Sequence, residues 1–226
     1  MNPHHTDITL IFDRSGSMNK IRQATIDGFN EFIAEQRQLP GTVTLSLVQF
    51  SNRRKVSYTA APIHEVPSLD REEYKPAGGT ALLDAIAETI DETGRRLASL
   101  AERDLPSAVI VAIITDGKEN SSRHFTYPQV VERIEHQGSV YNWNFVFLAA
   151  DQDAIAEAAR LSIHAGAALT FRKSARGSGA AFKSLSKAAG DLRTGKKNRA
   201  EFDDADRRAQ VEQQPLLPPG DSTDSK

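Results

Sequence analysis

The stretch 13–17 reads Asp-Arg-Ser-Gly-Ser and places one carboxylate and two hydroxyls at alternate positions, in Asp13, Ser15 and Ser17. It follows the apolar run 8–12 and precedes a segment whose apolar residues recur at helical spacing. These side chains are therefore expected where a strand ends and a helix begins. Oxygen ligands clustered on such a turn suit a hard divalent cation such as Mg²⁺.

Two later motifs occupy equivalent places in the pattern. A Gly-Gly-Thr triplet ending at Thr80 opens the second long helical segment, and a Thr-Asp-Gly triplet centred on Asp116 closes a second apolar run. Each motif alone is common as a helix cap or a turn. Ligands of open α/β sheets bind at the carboxyl ends of the strands. The three motifs, each at a strand–helix junction, therefore predict one shared site.

The elements that would position these residues alternate between strand and helix, which predicts an α/β fold with a mainly parallel sheet. The run 108–115 is the most apolar, so we expect it in the sheet centre, covered on both faces. Residues 61–77 are expected to be irregular. Predicted strands cover about 7–13, 43–50, 56–60, 108–115, 145–150 and 167–171, and predicted helices about 20–38, 80–102, 127–137, 154–161 and 180–192.

Composition limits the possible classes of protein. The chain has no cysteine, which excludes disulfides and thiolate metal ligands. No apolar run approaches the ~20 residues of a membrane-spanning helix, and the polar start shows no signal peptide, so we expect a cytoplasmic protein that does not enter membranes. Apolar residues thin out near the end. We therefore predict one domain at 1–193 and a polar, disordered tail at 194–226.

The three motifs resemble, in order and position, the metal-ion-dependent adhesion site of von Willebrand factor A (VWA) domains. The resemblance covers about residues 7–171 and can be extended to 193; stand-alone cytoplasmic VWA proteins of bacteria and phages look most similar. It implies a Rossmann-like fold with a mainly parallel central sheet, one antiparallel edge strand and helices on both faces. It also implies an intact metal site with five ligand positions, which are Asp13, Ser15, Ser17, Thr80 and Asp116.

The same resemblance implies a protein-binding module rather than an enzyme. The bound cation would be Mg²⁺, with Mn²⁺ or Ca²⁺ as alternatives, and an Asp or Glu of a protein partner would replace a water in its coordination shell. An AAA+ ATPase complex is a common setting for bacterial VWA proteins. The partner-binding rim is expected at Arg14, Met18, Lys118, Glu119, Asn120 and Asp151, with His124 and Tyr127 nearby.

Two other functions stay open from the residues alone. A cation beside serines and aspartates could activate water in a metal-dependent phosphoester hydrolase. The segment 172–199 carries nine Lys and Arg against one Asp and could associate with nucleic acid. A solvated helix face is the simpler interpretation of that segment, so we expect no sequence-specific nucleic-acid binding.

The last predicted helix, 180–192, matches in position the helix that shifts in integrin inserted domains when an acidic ligand engages the metal. Gly177 and Gly179 precede it, and we expect them to form a flexible approach that would permit such movement.

Overall fold

One sheet of six strands organises the computed structural model, which describes residues 1–151 and 153–211. The strands are β1 (Asn2–Asp13), β2 (Thr42–Phe50), β3 (Arg54–Pro62), β4 (Pro106–Thr115), β5 (Asn144–Ala150) and β6 (Ala168–Phe171). Their order in the sheet is β3-β2-β1-β4-β5-β6. Every neighbouring pair is parallel except β2 and β3, which pair antiparallel at one edge. The predicted α/β fold class is confirmed.

Helices cover both faces of this sheet. They are α1 (Arg22–Gln38), α2 (Leu82–Ala98), α3 (Tyr127–Tyr141), α4 (Ala154–Arg160), α5 (Ala175–Arg193) and α6 (Asp204–Val211). Helices α1 and α5 pack together over one face, and α2, α3 and α4 cover the other. In the described ranges, no helix has the length and apolar character needed to cross a bilayer.

Strand β4 shows why the sheet is covered on both sides. Its residues Val109, Val111 and Ile113 belong to the core under α2 and α3. The alternate residues Ile110 and Ile114 belong to the core under α1 and α5. Successive side chains of a strand point to opposite faces, so an unbroken apolar run is buried only between two helical layers.

Helix α5 is held against α1 by a close contact and by hydrogen bonds. Gly28 of α1 faces the ring of Phe182, and a Cβ at position 28 would lie 2.3 Å from Phe182 Cδ2. The buried Gln36 amide donates to the Ser186 carbonyl oxygen over 3.0 Å. Arg193 donates to the Gln36 carbonyl oxygen over 2.9 Å and to the Pro40 carbonyl oxygen over 3.0 Å. These contacts fix the register of α5 along α1.

The connection between β3 and α2 is irregular, as predicted, yet it supplies part of the core. Its buried side chains are Ile63, Val66, Leu69 and Tyr74. Polar side chains of α1 hold its backbone: Asn30 exchanges hydrogen bonds of 3.0 and 2.8 Å with the backbone of Leu69, and Arg37 donates over 2.9 Å to the Ile63 carbonyl oxygen. The segment therefore has a fixed conformation without regular secondary structure.

Helix α5 begins earlier than the sequence pattern indicates. The Ser174 hydroxyl accepts the Gly177 N–H over 3.1 Å and caps the helix at its first turn. A Cβ at position 177 would lie only 2.3 Å from the Arg172 carbonyl oxygen. The expected flexible approach is therefore wrong, because both Gly177 and Gly179 lie inside α5 and Gly177 permits a close backbone contact.

The structure also differs from the prediction of a tail beginning at residue 194. Ala200 and Phe202 are buried in the core under α1 and α5, and α6 follows them. Lys187 of α5 pairs with Asp203 and, over 3.1 Å, with Asp206 of α6. Residues 212–226 lie outside the described residues, so for them the disordered tail stays a prediction.

Candidate metal centre

Two carboxylates meet at the carboxyl edge of the sheet because β1 and β4 are parallel neighbours. Phe12 pairs with Ile114, and the chain continues from them into Asp13 and Asp116. The hydroxyl of Thr115, the last residue of β4, donates to Asp13 Oδ2 over 2.6 Å. The Ser15 N–H donates to Asp13 Oδ1 over 2.6 Å. Both aspartates are buried.

The serines of the 13–17 motif connect it to the motif centred on Asp116. Ser15 directly precedes the 3-10 helix Gly16–Ile21, which leads into α1. The Ser15 and Ser17 hydroxyl oxygens are 3.0 Å apart, and the Ser17 hydroxyl donates to Asp116 Oδ1 over 2.6 Å. These contacts bring the turn after β1 and the turn after β4 into one cluster of oxygen atoms.

Thr80 enters the same cluster two residues before α2. Its N–H donates to Asn120 Oδ1 over 2.9 Å, and the preceding Gly79 N–H donates to Asn52 Oδ1. A Cβ at Gly117 would lie 2.8 Å from Thr80 Oγ1 and 3.6 Å from Asp13 Oδ2. Glycine at 117 therefore leaves room for the threonine hydroxyl next to the Asp13 carboxylate.

The cluster concentrates negative charge away from water. Burial raises the pKa of Asp13 to about 6, and the Asp116 charge adds to the rise, while hydrogen bonds from Thr115 and Ser15 oppose it. Asp116 Oδ2 is buried. Its close neighbour is the ammonium of Lys173, an ion-pair contact. Such an arrangement of carboxylates stabilises a cation.

The donor set fits a divalent cation that prefers oxygen. An octahedral ion with ligands at 2.0–2.1 Å places adjacent oxygens about 2.9 Å apart, close to the 3.0 and 2.6 Å separations along Ser15, Ser17 and Asp116. Among residues 1–151 and 153–211, no three His, Cys, Asp or Glu side chains are placed to share a metal. A cation here would thus depend on hydroxyl oxygens beside the two carboxylates.

Three supporting residues were not found from the sequence. Tyr74 is fully buried, and its hydroxyl donates to the Asp13 carbonyl oxygen over 2.6 Å. Thr115 was visible in its motif, but its donation to Asp13 Oδ2 depends on strand pairing. Lys173 lies in the turn between β6 and α5, far along the chain from Asp116. Neither Tyr74 nor Lys173 belongs to a periodic pattern or to one of the three motifs.

The structure divides the residues predicted for the rim. Lys118 and Asn120 are exposed, and Arg14 is half-buried. Asp151 is exposed and accepts the Lys173 N–H over 3.0 Å. Met18 is placed in the core instead of the rim, because the 3-10 helix Gly16–Ile21 buries its side chain.

Two further residues predicted at or near the rim, Glu119 and Tyr127, form hydrogen bonds within the fold. The Glu119 carboxylate accepts the Leu83 N–H over 3.0 Å and the Ser122 N–H over 2.7 Å, so it holds the first turn of α2 and is not free for a partner. The Tyr127 hydroxyl donates to Glu157 over 2.6 Å. Tyr127 is therefore engaged with α4.

A polar cavity of about 730 Å³ lies beside the oxygen cluster. Asn120, which accepts the Thr80 N–H, also lines this cavity. Arg53, Arg123 and His124 contribute exposed side chains to its wall. Its two acidic residues are engaged: the Asp84 carboxylate accepts the N–H groups of residues 123–125 at 2.8–3.0 Å, and Glu88 pairs with Arg54 over 2.9 Å. The free charges around the cavity are therefore mainly positive.

Neither a family model nor a curated protein sequence matches the chain. Among solved structures, proximal thread matrix protein 1 from the mussel byssus is 17% identical over 84% of this chain and 47% of its own, with a TM-score of 0.55. A von Willebrand factor type A protein from Catenulispora acidiphila is 17% identical over 83% and 43%, with a TM-score of 0.52. The ArnB paralog VWA2 from Sulfolobus acidocaldarius is 16% identical over 82% and 45%, with a TM-score of 0.52.

These similarities show that the chain has the VWA fold. The chain spans less than half the length of each of these structures. A further structure of the mussel protein, 18% identical over 86% of this chain and 46% of its own with a TM-score of 0.51, has a zinc-occupied MIDAS motif. A divalent cation is thus bound in one protein that shares this fold.

Proposed function

We propose that this protein is a metal-dependent protein-binding module. Asp13, Ser15, Ser17, Thr80 and Asp116 would hold one divalent cation, and a carboxylate of a partner protein would complete its coordination. The observation that carries the proposal is the 2.6 Å hydrogen bond from Ser17 to Asp116 Oδ1. It brings two of the predicted ligand positions, from separate motifs, together beside the buried carboxylate oxygen Asp116 Oδ2, whose partner is the Lys173 ammonium.

Mg²⁺ is our preferred cation, with Mn²⁺ and Ca²⁺ as the alternatives. All five proposed ligands are oxygen donors, which hard cations prefer. Three of the five are neutral hydroxyls. The ion would keep much of its positive charge and would attract an added carboxylate. The roles of Asp13 and Asp116 are to bind directly or through water and to orient the serines, which the hydrogen bonds to Ser15 and Ser17 support.

The surroundings favour an acidic partner. Arg53 and Arg123, on the wall of the neighbouring cavity, make no ion pair with any residue in the described ranges. Positive charge at the rim speeds association with an acidic surface and fixes its orientation. An Asp or Glu at the cation, with further acidic residues toward Arg53 and Arg123, is the partner chemistry that fits. A stable complex would need an interface of roughly 1,200–2,000 Å².

Binding explains the site better than catalysis. A serine nucleophile is typically activated by a neighbouring histidine, whereas the described partners of the Ser15 and Ser17 hydroxyls are each other and the weakly basic Asp116 carboxylate. We therefore propose that the protein is not an enzyme. Phosphoester hydrolysis would be the activity to assay first if this inference were wrong.

Nucleic-acid association through 172–199 is the weaker candidate. Several cations of this segment serve the fold: Lys173 pairs with Asp116, Lys187 with Asp203, and Arg193 donates to backbone carbonyls after α1. Any binding of nucleic acid should be weak and should fall steeply with salt. We propose a cytoplasmic location, with an AAA+ ATPase complex as the first partner to test.

Isothermal titration of EDTA-treated protein with MgCl₂, MnCl₂ and CaCl₂ tests the metal site. We expect one binding event per chain, lost in Asp13→Ala and Asp116→Ala. Ser17→Ala should weaken this binding, and Ser107→Ala is its matched control, because Ser107 lies at the end of β4 opposite to Asp116 and donates to backbone carbonyls. Unchanged metal affinity in both aspartate variants would rule out the assignment.

Affinity capture with the immobilised protein tests partner binding. Proteins captured in Mg²⁺ and released by EDTA should be missing when Asp116→Ala is the bait. A synthetic peptide from the captured protein should lose binding when its acidic residue is changed to the amide. Capture that is equal with and without EDTA would show that binding does not use the cation.

A further inference from the structure

Lys173 reaches the candidate metal centre from an element that none of the three motifs includes. It lies between β6 and α5, and its ammonium contacts Asp116 Oδ2 at the end of β4. Strand β5 separates β4 from β6 in the sheet, so the lysine side chain passes over the end of β5. The Lys173 side chain is 15% exposed and that of Asp116 is 0% exposed.

The turn that carries Lys173 is firmly held. Asp151, after β5, accepts the Lys173 N–H over 3.0 Å and donates its own N–H to the Phe171 carbonyl oxygen over 2.8 Å. Ser174 then caps α5 through Gly177. The lysine backbone is thus fixed on both sides, and the ammonium is delivered to Asp116 by the fold.

The charges explain what the ammonium does there. Asp13 and Asp116 are buried carboxylates in one cluster, and the described partner of Asp116 Oδ2 is the Lys173 ammonium. A buried charge without a counter-charge is strongly destabilising. Lys173 supplies one positive charge to this oxygen. A divalent cation bound by Asp116 would supply more, at the same place.

We propose that Lys173 is a tethered competitor of the divalent cation. Its ammonium neutralises Asp116 when the cation is not bound and has to leave Asp116 Oδ2 before the cation binds fully. The lysine therefore sets the metal concentration at which the site fills, and it keeps the metal-free fold stable. This inference rests on the proposed function, because it assumes that Asp116 is a metal ligand.

The expected effect of Lys173 on metal affinity follows from the fraction of protein in which the lysine occupies Asp116. The apparent affinity of a ligand falls in proportion to the fraction of protein in the competent state. A lysine that occupies Asp116 nine-tenths of the time would weaken metal binding about ten-fold. A substitution that removes the ammonium should therefore raise the metal affinity by about ten-fold. A substitution that keeps a positive charge should not.

The test compares Lys173→Met, Lys173→Arg and Arg172→Met by calorimetric titration with MgCl₂ alone. Arg172 is the matched control: it is exposed, lies one residue away, and its side chain makes no hydrogen bond or ion pair in the described part of the chain. Lys173→Met should bind Mg²⁺ about ten-fold more tightly than the native protein. Lys173→Arg and Arg172→Met should stay within about three-fold of it.

Thermal unfolding provides a second measurement that needs no metal. In EDTA, Lys173→Met should melt at a lower temperature than the native protein, and saturating MgCl₂ should remove the difference. The competitor role would be overturned if Lys173→Met bound Mg²⁺ no more tightly than the native protein, or if Arg172→Met gained as much Mg²⁺ affinity as Lys173→Met. Neither result would contradict the proposed metal site. If neither the native protein nor Lys173→Met bound Mg²⁺, the proposed function would fail together with this inference.

Discussion

The Thr115 hydroxyl donates to Asp13 Oδ2 over 2.6 Å and so joins the end of β4 to the end of β1 inside the candidate metal centre. Both groups are fully buried. A hydrogen bond to a buried carboxylate is among the stronger ones in proteins. This contact links the stability of the fold to the shape of the site, and the first prediction concerns it.

Thr115→Val should lower the free energy of unfolding by about 2 kcal/mol at pH 7.5, because it removes a hydrogen bond to a charged group and keeps the side-chain shape. Mg²⁺ affinity should fall about 10- to 100-fold, as for other groups that orient a ligand. Thr89→Val is the control, since the buried Thr89 hydroxyl has no hydrogen-bond partner among the described residues. Urea unfolding should leave Thr89→Val near the native protein; similar losses in both variants would contradict the role of Thr115.

Tyr74→Phe should lower the free energy of unfolding by about 1–2 kcal/mol, because the Asp13 carbonyl oxygen loses its buried donor. The same experiment on Tyr58→Phe gives the comparison. The buried Tyr58 hydroxyl has no hydrogen-bond partner in the described ranges, so its removal should cost little. If the two variants unfolded at the same urea concentration, the Tyr74 hydroxyl would have no special part in holding Asp13.

The metal-free protein should lose stability as pH rises through the pKa of Asp13. That pKa is about 6 in the folded protein and 3.8 ordinarily. Because the folded-state value is the higher one, the folded state is favoured while the carboxyl is protonated. The contribution is fully present below pH 3.8 and is lost by a pH somewhat above 6. At 1.36 kcal/mol per pKa unit it amounts to about 3 kcal/mol.

The measurement for this pH dependence is urea unfolding of the native protein and Asp13→Asn in EDTA from pH 4 to pH 7.5. The variant has no carboxyl to ionise at position 13. As pH rises across that range, its free energy of unfolding should therefore increase relative to that of the native protein by about 2–3 kcal/mol. A difference that stayed constant with pH would show that Asp13 titrates at its ordinary pKa.

Gly28→Ala should destabilise the protein by about 1–2 kcal/mol, because its new methyl group would push against the Phe182 ring and overpack the α1–α5 interface. The gain in helix propensity offsets only part of this, since alanine exceeds glycine by about 1 kcal/mol. Gly179→Ala, in α5, has no described atom within 4 Å of the new methyl group. It should raise the melting temperature, and a loss there would contradict the packing argument.

Much of this fold could be predicted because its signals are local. The alternation of apolar segments gave the element order, and the unbroken run at β4 placed that strand in the centre. The convergence of the motifs also had a local basis, since parallel strands end at the same edge of a sheet. Asp13 and Asp116 needed only that rule to be placed together.

The parts that were missed depend on contacts between distant segments. Tyr74 lies in an irregular stretch, where no periodicity distinguishes a buried tyrosine from an exposed one. Lys173 looked like one more cation of a basic segment, because its contact with Asp116 depends on how Asp151 and Ser174 set the turn before α5. Phe202 was missed for a different reason: a single aromatic residue among polar ones gives no pattern, yet it anchors the chain after α5.

The packing of α6 has a consequence for how copies of this protein meet. Strand β6 is the last in the sheet and is four residues long. Arg207 of α6 donates to the carbonyl oxygens of Ala168 and Ala165 over 3.0 and 2.9 Å. An uncovered strand edge is a template for pairing with another chain and for aggregation. By occupying the carbonyl at the start of β6, α6 covers part of this edge, and the polar segment after α5 thereby opposes strand addition at that point.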